Sequence, residues 1–281
     1  MNHISILQNY WELQMEQGDE FIALQNKKKV FKKHNKTIKK TTIHVKKMKE
    51  WIDGDHCIFI YQLLKKYMIE DQDKLYHEQQ AEWRKATCSN VEMITDEEIS
   101  NRLQRNKVPD YRMISDERSR QYYDRREAVR YAERWWNDYN PNYPYFEDND
   151  CTNYISQCLR AGGIPMVGQP NRNKGWWMGE DSWSFSWSVA HAFRWYLSSD
   201  TNTFHAKLTD HPSKLQIGDV ICYDFEGDGR WDHSTIVVAK DSENMPLVNA
   251  HTNNSRNRYW TYEDSLAWTE ACQYRFFLIG D

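Results

Sequence analysis

Glycine and proline are scarce in this chain, at 11 and 7 of 281 residues. That scarcity excludes collagen-like and low-complexity architectures. Hydrophobic residues make up 40% and charged residues 28%, a balance that excludes a largely disordered chain. No apolar run approaches the roughly 20 residues that a membrane-spanning helix needs. The first residues, MNHISILQNYWELQMEQGDE, lack both a basic start and an apolar signal core, so the expected location is the cytoplasm. A spore compartment or release by lysis would be the routes to an external substrate. The six cysteines (Cys57, Cys88, Cys151, Cys158, Cys222, Cys272) form no C-x-x-C pair. Their scatter argues against paired zinc ligands, and the length argues against a disulfide scaffold. Reduced thiols, most of them buried, are therefore expected, with no metal and no cofactor.

Aromatic residues are plentiful by contrast: 13 Trp, 17 Tyr and 10 Phe. They serve a core or a cleft that grips a large polar substrate. Charge is uneven. Residues 1–115 carry 20 Lys+Arg against 17 Asp+Glu, and residues 116–281 carry 17 against 24. Eleven lysines and no acid fall between Lys27 and Lys49. The β-formers Thr37, Ile38, Thr41, Ile43 and Val45 among them read as a solvated edge strand, so no nucleic-acid partner is expected.

Two domains are expected, 1–115 and 116–281. The first reads as a small α+β accessory domain. It has an amphipathic helix over 4–24, then strands over 36–51, 56–67 and 75–88 in an antiparallel meander, with 91–115 as connector. From Tyr122 the period changes. Ala128, Tyr131, Ala132, Trp135, Trp136 and Tyr139 recur at helical spacing, and Asn140-Pro141 is the expected stop.

The chemistry concentrates in Asp150-Cys151-Thr152-Asn153-Tyr154-Ile155-Ser156-Gln157-Cys158-Leu159. Asp150 suits an N-cap, and Gly162-Gly163 before Pro165 suits a helix stop. Cys151 then falls in the first turn of a short helix. Free N–H groups and the helix dipole there favour a thiolate, so an apparent pKa well below about 8.5 is expected. Downstream, Gly218-Asp219-Val220 opens a strand, and His233-Ser234-Thr235-Ile236-Val237-Val238 forms a second. A third, over 246–252, contains His251. A loop centred on Ser242 pairs residues whose numbers sum to 484, placing His233 opposite His251 on one face; a four-residue loop separates them. A thiolate on a helix, an imidazole and a polar group to orient it is the general layout of Cys–His nucleophilic catalysis.

The stretch from Tyr122 onward resembles the putative amidase domain of bacteria, within the papain-like group that also holds NlpC/P60 peptidases and CHAP amidases. The resemblance rests on Tyr123-Asp124-Arg125-Arg126-Glu127-Ala128, Asn140-Pro141 with Tyr143, Asp150-Cys151-Thr152-Asn153, Gly162-Gly163, Trp183 with Trp187, Gly218-Asp219-Val220, and His233 with His251-Thr252. It covers roughly 160 residues. It implies an α+β, papain-like domain of helices on an antiparallel sheet, with Cys151 as nucleophile and His233 as general base. His251 matches the third His of NlpC/P60 relatives, while Asn249 and Asn253 share its strand parity. The Cys151 backbone N–H would bind the oxyanion, with Asn149 or Asp150 beside it.

The implied function is cysteine-dependent hydrolysis of an amide or peptide bond, in a peptide or peptidoglycan fragment, through a thioester. An acyltransferase using the same couple, or a silent peptide- or glycan-binding module, are the alternatives. Trp176, Trp177, Trp183 and Trp187 lie between nucleophile and base and suit either a substrate cleft or packing of helices on the sheet. His191, on one helical stripe with Trp187 and Trp195, reads as structural. Asp224, Glu226, Asp228 and Gly229 resemble the start of a calcium loop, but position twelve is Thr235, so they read as a hairpin turn. Oligomeric state is not legible.

Overall fold

The computed structural model describes residues 3–89, 92–99, 122–147 and 149–280. The chain divides into two compact units, Met1–Arg105 and Asn106–Asp281. Among the described residues no helix is long and apolar enough to cross a membrane.

The first unit opens with two helices, α1 (His3–Gln17) and α2 (Asp19–Lys33), where the sequence suggested one over 4–24. Gly18 interrupts them in an extended conformation as the N-cap of α2, and Asp19 and Glu20 follow in the new first turn, where they suit the helix dipole. Three long strands come next, β1 (Lys36–Asp53), β2 (His56–Asp71) and β3 (Lys74–Cys88), antiparallel in the order β1-β2-β3. The expected connector contains a fourth strand, β4 (Met93–Glu98), which pairs with β3. Its remainder at 91 and 100–115 lies outside the described residues. Ile6, Leu7 and Trp11 of α1 pack with Phe59, Tyr61, Leu63 and Ala86 of the sheet. The Trp11 indole donates to the Tyr61 hydroxyl at 3.0 Å.

The second unit mixes helices with a large antiparallel sheet. Helices α3 (Arg125–Trp135), α4 (Cys151–Ala161), α5 (Phe185–Ser188) and α6 (Ala190–Leu197) precede its six strands. These are β5 (Lys207–Thr209), β6 (Val220–Asp224), β7 (His233–Lys240), β8 (Pro246–Ala250), β9 (Ser255–Tyr259) and β10 (Gln273–Leu278), in the order β9-β8-β7-β6-β10-β5. Val220, Cys222, Ile236 and Phe277 pack with Tyr154, Ile155 and Cys158 of α4. Ile221, Tyr223, Val237, Val248 and Phe276 build a second cluster with Tyr262. Strand alternation assigns these two sets to opposite faces.

Several residues of the sequence motifs hold this scaffold together. Asp124 caps α3 by accepting the Arg126 and Glu127 N–H groups, each at 3.1 Å. Arg125 reaches the Asp219 carboxylate and the Ile279 carbonyl, tying α3 to β6 and the end of β10. Tyr123 donates to the Gly218 carbonyl at 2.8 Å. Gly218 has φ +86, and a Cβ there would stand 3.0 Å from the Tyr123 hydroxyl, so glycine suits both backbone and space.

Helix α3 ends at Trp135, short of the expected stop at Asn140-Pro141. The Trp135 carbonyl accepts from Asp138 N–H and faces His251 Nε2, while Tyr139 N–H turns to the Asp138 side chain. Without the Trp135–Tyr139 bond the next turn does not form.

Candidate active site

Cys151 is the first residue of α4 and is 4% exposed. Its sulfur lies 3.7 Å from Thr152 Oγ1, with the backbone of Thr152 and of Ser234 close enough to favour its anion. Ser234 follows His233 on β7, so the start of that strand abuts the thiol. Burial nevertheless raises the Cys151 pKa, against the hydrogen bonds of Thr152 and Ser234, and the Asp150 charge adds to the rise. The expected low-pKa thiolate is thus corrected to a thiol. Desolvation of the anion outweighs the helix terminus and its N–H groups. The other five cysteines are also free; four are buried and Cys272 is half-buried.

His233 is 8% exposed and stands opposite Tyr223 in the β6–β7 ladder. Its ring packs among Tyr223, Phe225 and Tyr262, at 5.7, 5.9 and 5.1 Å between centroids. Nε2 lies 3.3 Å from the Tyr262 hydroxyl, which is also 3.3 Å from Ser255 Oγ. Burial, helped by the Arg258 charge, lowers the His233 pKa to about 3, so the ring is neutral. Among the described residues no hydrogen bond joins His233 to Cys151.

His251 does not stand opposite His233. The β7–β8 pairs are Ile236 with Asn249 and Val237 with Val248, then Ala239 with Leu247 beyond a bulge. The number sums are one and two above the expected 484, and a shift of one moves a residue to the other face. Strand β8 ends at Ala250, and His251 begins the following turn. Its Nδ1 is 2.7 Å from Asp150 Oδ2 and its Nε2 2.7 Å from the Trp135 carbonyl. The ring stacks on Tyr154 at 3.9 Å. A carbonyl only accepts, so Nε2 donates to it.

Asp150 is placed just before α4 as expected, but its carboxylate does not cap the helix. It accepts from Phe146 N–H at 3.0 Å and Asn153 Nδ2 at 2.8 Å, and meets His251. Phe146 and Asn153 are local and His251 is 101 residues away, so the carboxylate serves the preceding loop, one α4 side chain and one tertiary partner instead of the cap N–H groups. Asn249 is fully buried, bonded to Glu133 and to the Asn257 N–H at 2.9 Å each. It therefore does not orient His233. Asn149 and Asn253 are exposed.

The tryptophan cleft is corrected in favour of packing. Trp176, Trp177 and Trp187 are fully buried. Their indole N–H groups donate to Ser156 Oγ, to the Asn171 and Lys174 carbonyls, and to Asn153 Oδ1. Rings with neither exposed faces nor spare donors cannot stack on a substrate. Trp183 is half-buried against Phe146 at 4.7 Å. Asp224 accepts the N–H groups of Gly227, Asp228 and Gly229, which makes the acidic loop a turn organised by one carboxylate. Among the described residues no group of three His, Cys, Asp or Glu is placed to hold a metal.

Sequence reasoning missed Tyr262 and Asn254. Tyr262 lies beyond β9 at φ +57, beneath the Arg258 guanidinium at 4.0 Å. Asn254 is 4% exposed and bonds Tyr139 through Nδ2 at 3.4 Å, while its Oδ1 is buried without a partner. Neither sits in a periodic segment, so no local signal marks them.

The sequence of the second unit places the chain in a known family. It belongs to the family described as "Putative amidase domain", whose model matches residues 122–277. It is 49% identical over 238 residues to the "Uncharacterized protein YhbB" of Bacillus subtilis (strain 168), covering 82% of this chain and 76% of that one. It is also 35% identical over 138 residues to "Uncharacterized protein YjcM" of the same organism, covering 46% of this chain and 31% of the relative. No solved structure matches.

Proposed function

We propose that this protein is a cysteine-dependent amide hydrolase with Cys151 as nucleophile and His233 as general base. The observation that supports this reading is the place of Cys151 in the first turn of α4 beside Ser234, the residue after His233 on β7; the His233 ring, packed in this structure with Tyr223 and Tyr262, has to turn from them to reach the thiol. Family membership supports the amide class. On this reading the second unit is papain-like and related to NlpC/P60 and CHAP enzymes, residues 1–115 are an accessory domain, and peptides, including peptidoglycan-derived ones, are the substrates.

The resting site holds a buried thiol and a neutral imidazole, because a dry pocket disfavours a separated thiolate and imidazolium. Reaction then follows general-base order. His233 takes the thiol proton as sulfur attacks the amide carbonyl, and the Cys151 N–H at the open end of α4 steadies the oxyanion. The imidazolium returns its proton to the departing amine, and water hydrolyses the thioester. Tyr262 holds the His233 ring through Nε2. Asp150 and His251 brace the helix start from outside the reacting atoms.

The test is amine release from a peptide-amide library by wild type, Cys151→Ala and His233→Gln, with the acyl-enzyme trapped for mass spectrometry. Loss of release in both variants and an acyl adduct on Cys151 are expected. Turnover that survives Cys151→Ala would overturn the reading. Products joined to an added amine instead of water would reassign the protein as an acyltransferase.

A further inference from the structure

Arg194, on α6, is 8% exposed, yet its Nε and Nη1 are buried without a hydrogen-bond partner. A second guanidinium lies close by. Arg194 and Arg275 both cover the Trp231 ring, at 5.0 and 5.5 Å from its centroid, and Arg194 also covers Trp195 at 3.9 Å. Among the described residues neither arginine forms an ion pair. Two acids flanking the β6–β7 turn are engaged elsewhere. Asp224 holds the turn N–H groups, and Asp232 accepts from Phe225 N–H at 3.0 Å. Stacking on indole offsets part of the cost of burying a cation, but it satisfies no N–H donor. Two neighbouring guanidiniums without an acid are an arrangement that an anion completes.

The sheet relates this pair to the candidate nucleophile. Arg275 pairs with Cys222, and Cys222 pairs with Ser234, so three strands align them in one row. Ser234 is the strand residue whose backbone lies by the Cys151 thiol. Two strand spacings of about 4.8 Å put the Arg275 backbone roughly 10 Å from Ser234. A carboxylate one or two residues from a bond held at Cys151 covers that distance.

We propose that Arg194 and Arg275 form a carboxylate-binding subsite that selects substrates bearing a free carboxylate near the bond cleaved at Cys151. This rests on the amide-hydrolase reading for its use, but the binding can be measured without turnover. The planar, five-donor guanidinium matches a carboxylate bidentately, which an ammonium would not.

The test is calorimetric titration of full-length Cys151→Ala protein with N-acetyl-Ala-Glu, both carboxylates free, and with neutral N-acetyl-Ala-Gln-amide. The acidic probe is expected to bind at least about tenfold tighter. Arg194→Gln should erase that preference, and Arg275→Gln should reduce it severalfold. Thermal melts separate a binding role from a structural one. Removing an uncompensated buried cation should leave Tm unchanged or higher, whereas loss of a structural arginine lowers it. If Arg194→Gln fails to fold, Arg275→Gln, at a half-buried position, decides the question alone. Equal binding of the two probes, no binding of the acidic one, or a preference that survives in folded variants would overturn the subsite. Carboxylate preference without turnover of any amide by wild type would keep the subsite and sink the hydrolase reading.

Discussion

In the first unit Lys27 faces Glu78, Lys36 meets Asp71 at 2.9 Å, and Lys65 bridges Glu20 and Glu82 at 2.5 and 2.6 Å. In the second, Arg194 is buried with no acid, His233 is buried neutral, and Cys151 is held as a thiol. The first unit neutralises its buried charge with protein partners. The second pairs some charge in the same way, as Arg258 with Asp264 at 2.9 Å, but leaves Arg194 without an acid. Buried charges that find partners inside the fold are structure, and burying any that do not is costly. On our proposal, the open Arg194 marks where a ligand completes the site.

The largest expected effect breaks the chemical half of this contrast. Cys151→Ala should lower amide cleavage by about three orders of magnitude or more, read as initial rates of amine release. Folding should be unaffected, with an unchanged urea midpoint.

The opposite outcome is expected for a first-unit pair. Asp71→Asn neutralises one partner of a pair whose side chains are 0% and 2% exposed. It should cost about 3–5 kcal/mol in urea unfolding, whereas replacing both partners by well-packed apolar residues should be close to neutral. Iodoacetamide labelling of Cys151 in the folded protein should be unchanged by either. If Asp71→Asn instead cost less than about 1 kcal/mol, the claim that this unit depends on internal pairing would fail.

Acid stability sharpens the contrast next. His233 titrates near 3 in the fold and near 6.5 in an unfolded chain. The neutral ring therefore favours folding fully above about pH 6.5, and that contribution is lost as pH falls toward 3. Its size is on the order of a few kcal/mol. Wild type should lose more stability between pH 7 and pH 4 than His233→Gln does, and parallel curves would refute a buried neutral ring. In the same range Cys151 should alkylate slowly, with its rate rising only above the ordinary thiol pKa.

The smallest effect falls on Tyr262→Phe, which removes the hydroxyl 3.3 Å from His233 Nε2. Loss of one such bond is worth about 1 kcal/mol, so cleavage should slow roughly fivefold with KM unchanged. The acid limb of the rate profile should shift as the ring loses its anchor. A variant with wild-type rates and profile would show Tyr262 to be packing alone.

Local pattern was enough for some of the elements, but not for the break at Gly18, strand β4 or the end of α3. The three long strands of the first unit, the α4 segment from Cys151 to Ala161 and the turn at Asp224 follow from β-former runs, Asp-Gly signals and Gly162-Gly163. These depend on backbone preferences within a few residues, which a sequence states directly. Tertiary structure decided everything that depends on which partner arrives. Asp150 had the right position for a cap, but His251, 101 residues away, took its carboxylate. The β7–β8 hairpin closes two above the expected register at Lys240 and Pro246, and the bulge after Val237 recovers only one of the two, so the histidines do not meet. Three tryptophans that suited a cleft went into the core because Ser156, Asn153 and two loop carbonyls were there to receive their N–H groups. The thiol pKa was decided the same way. Helix position favours the thiolate, and burial, which no local segment encodes, disfavours it by more.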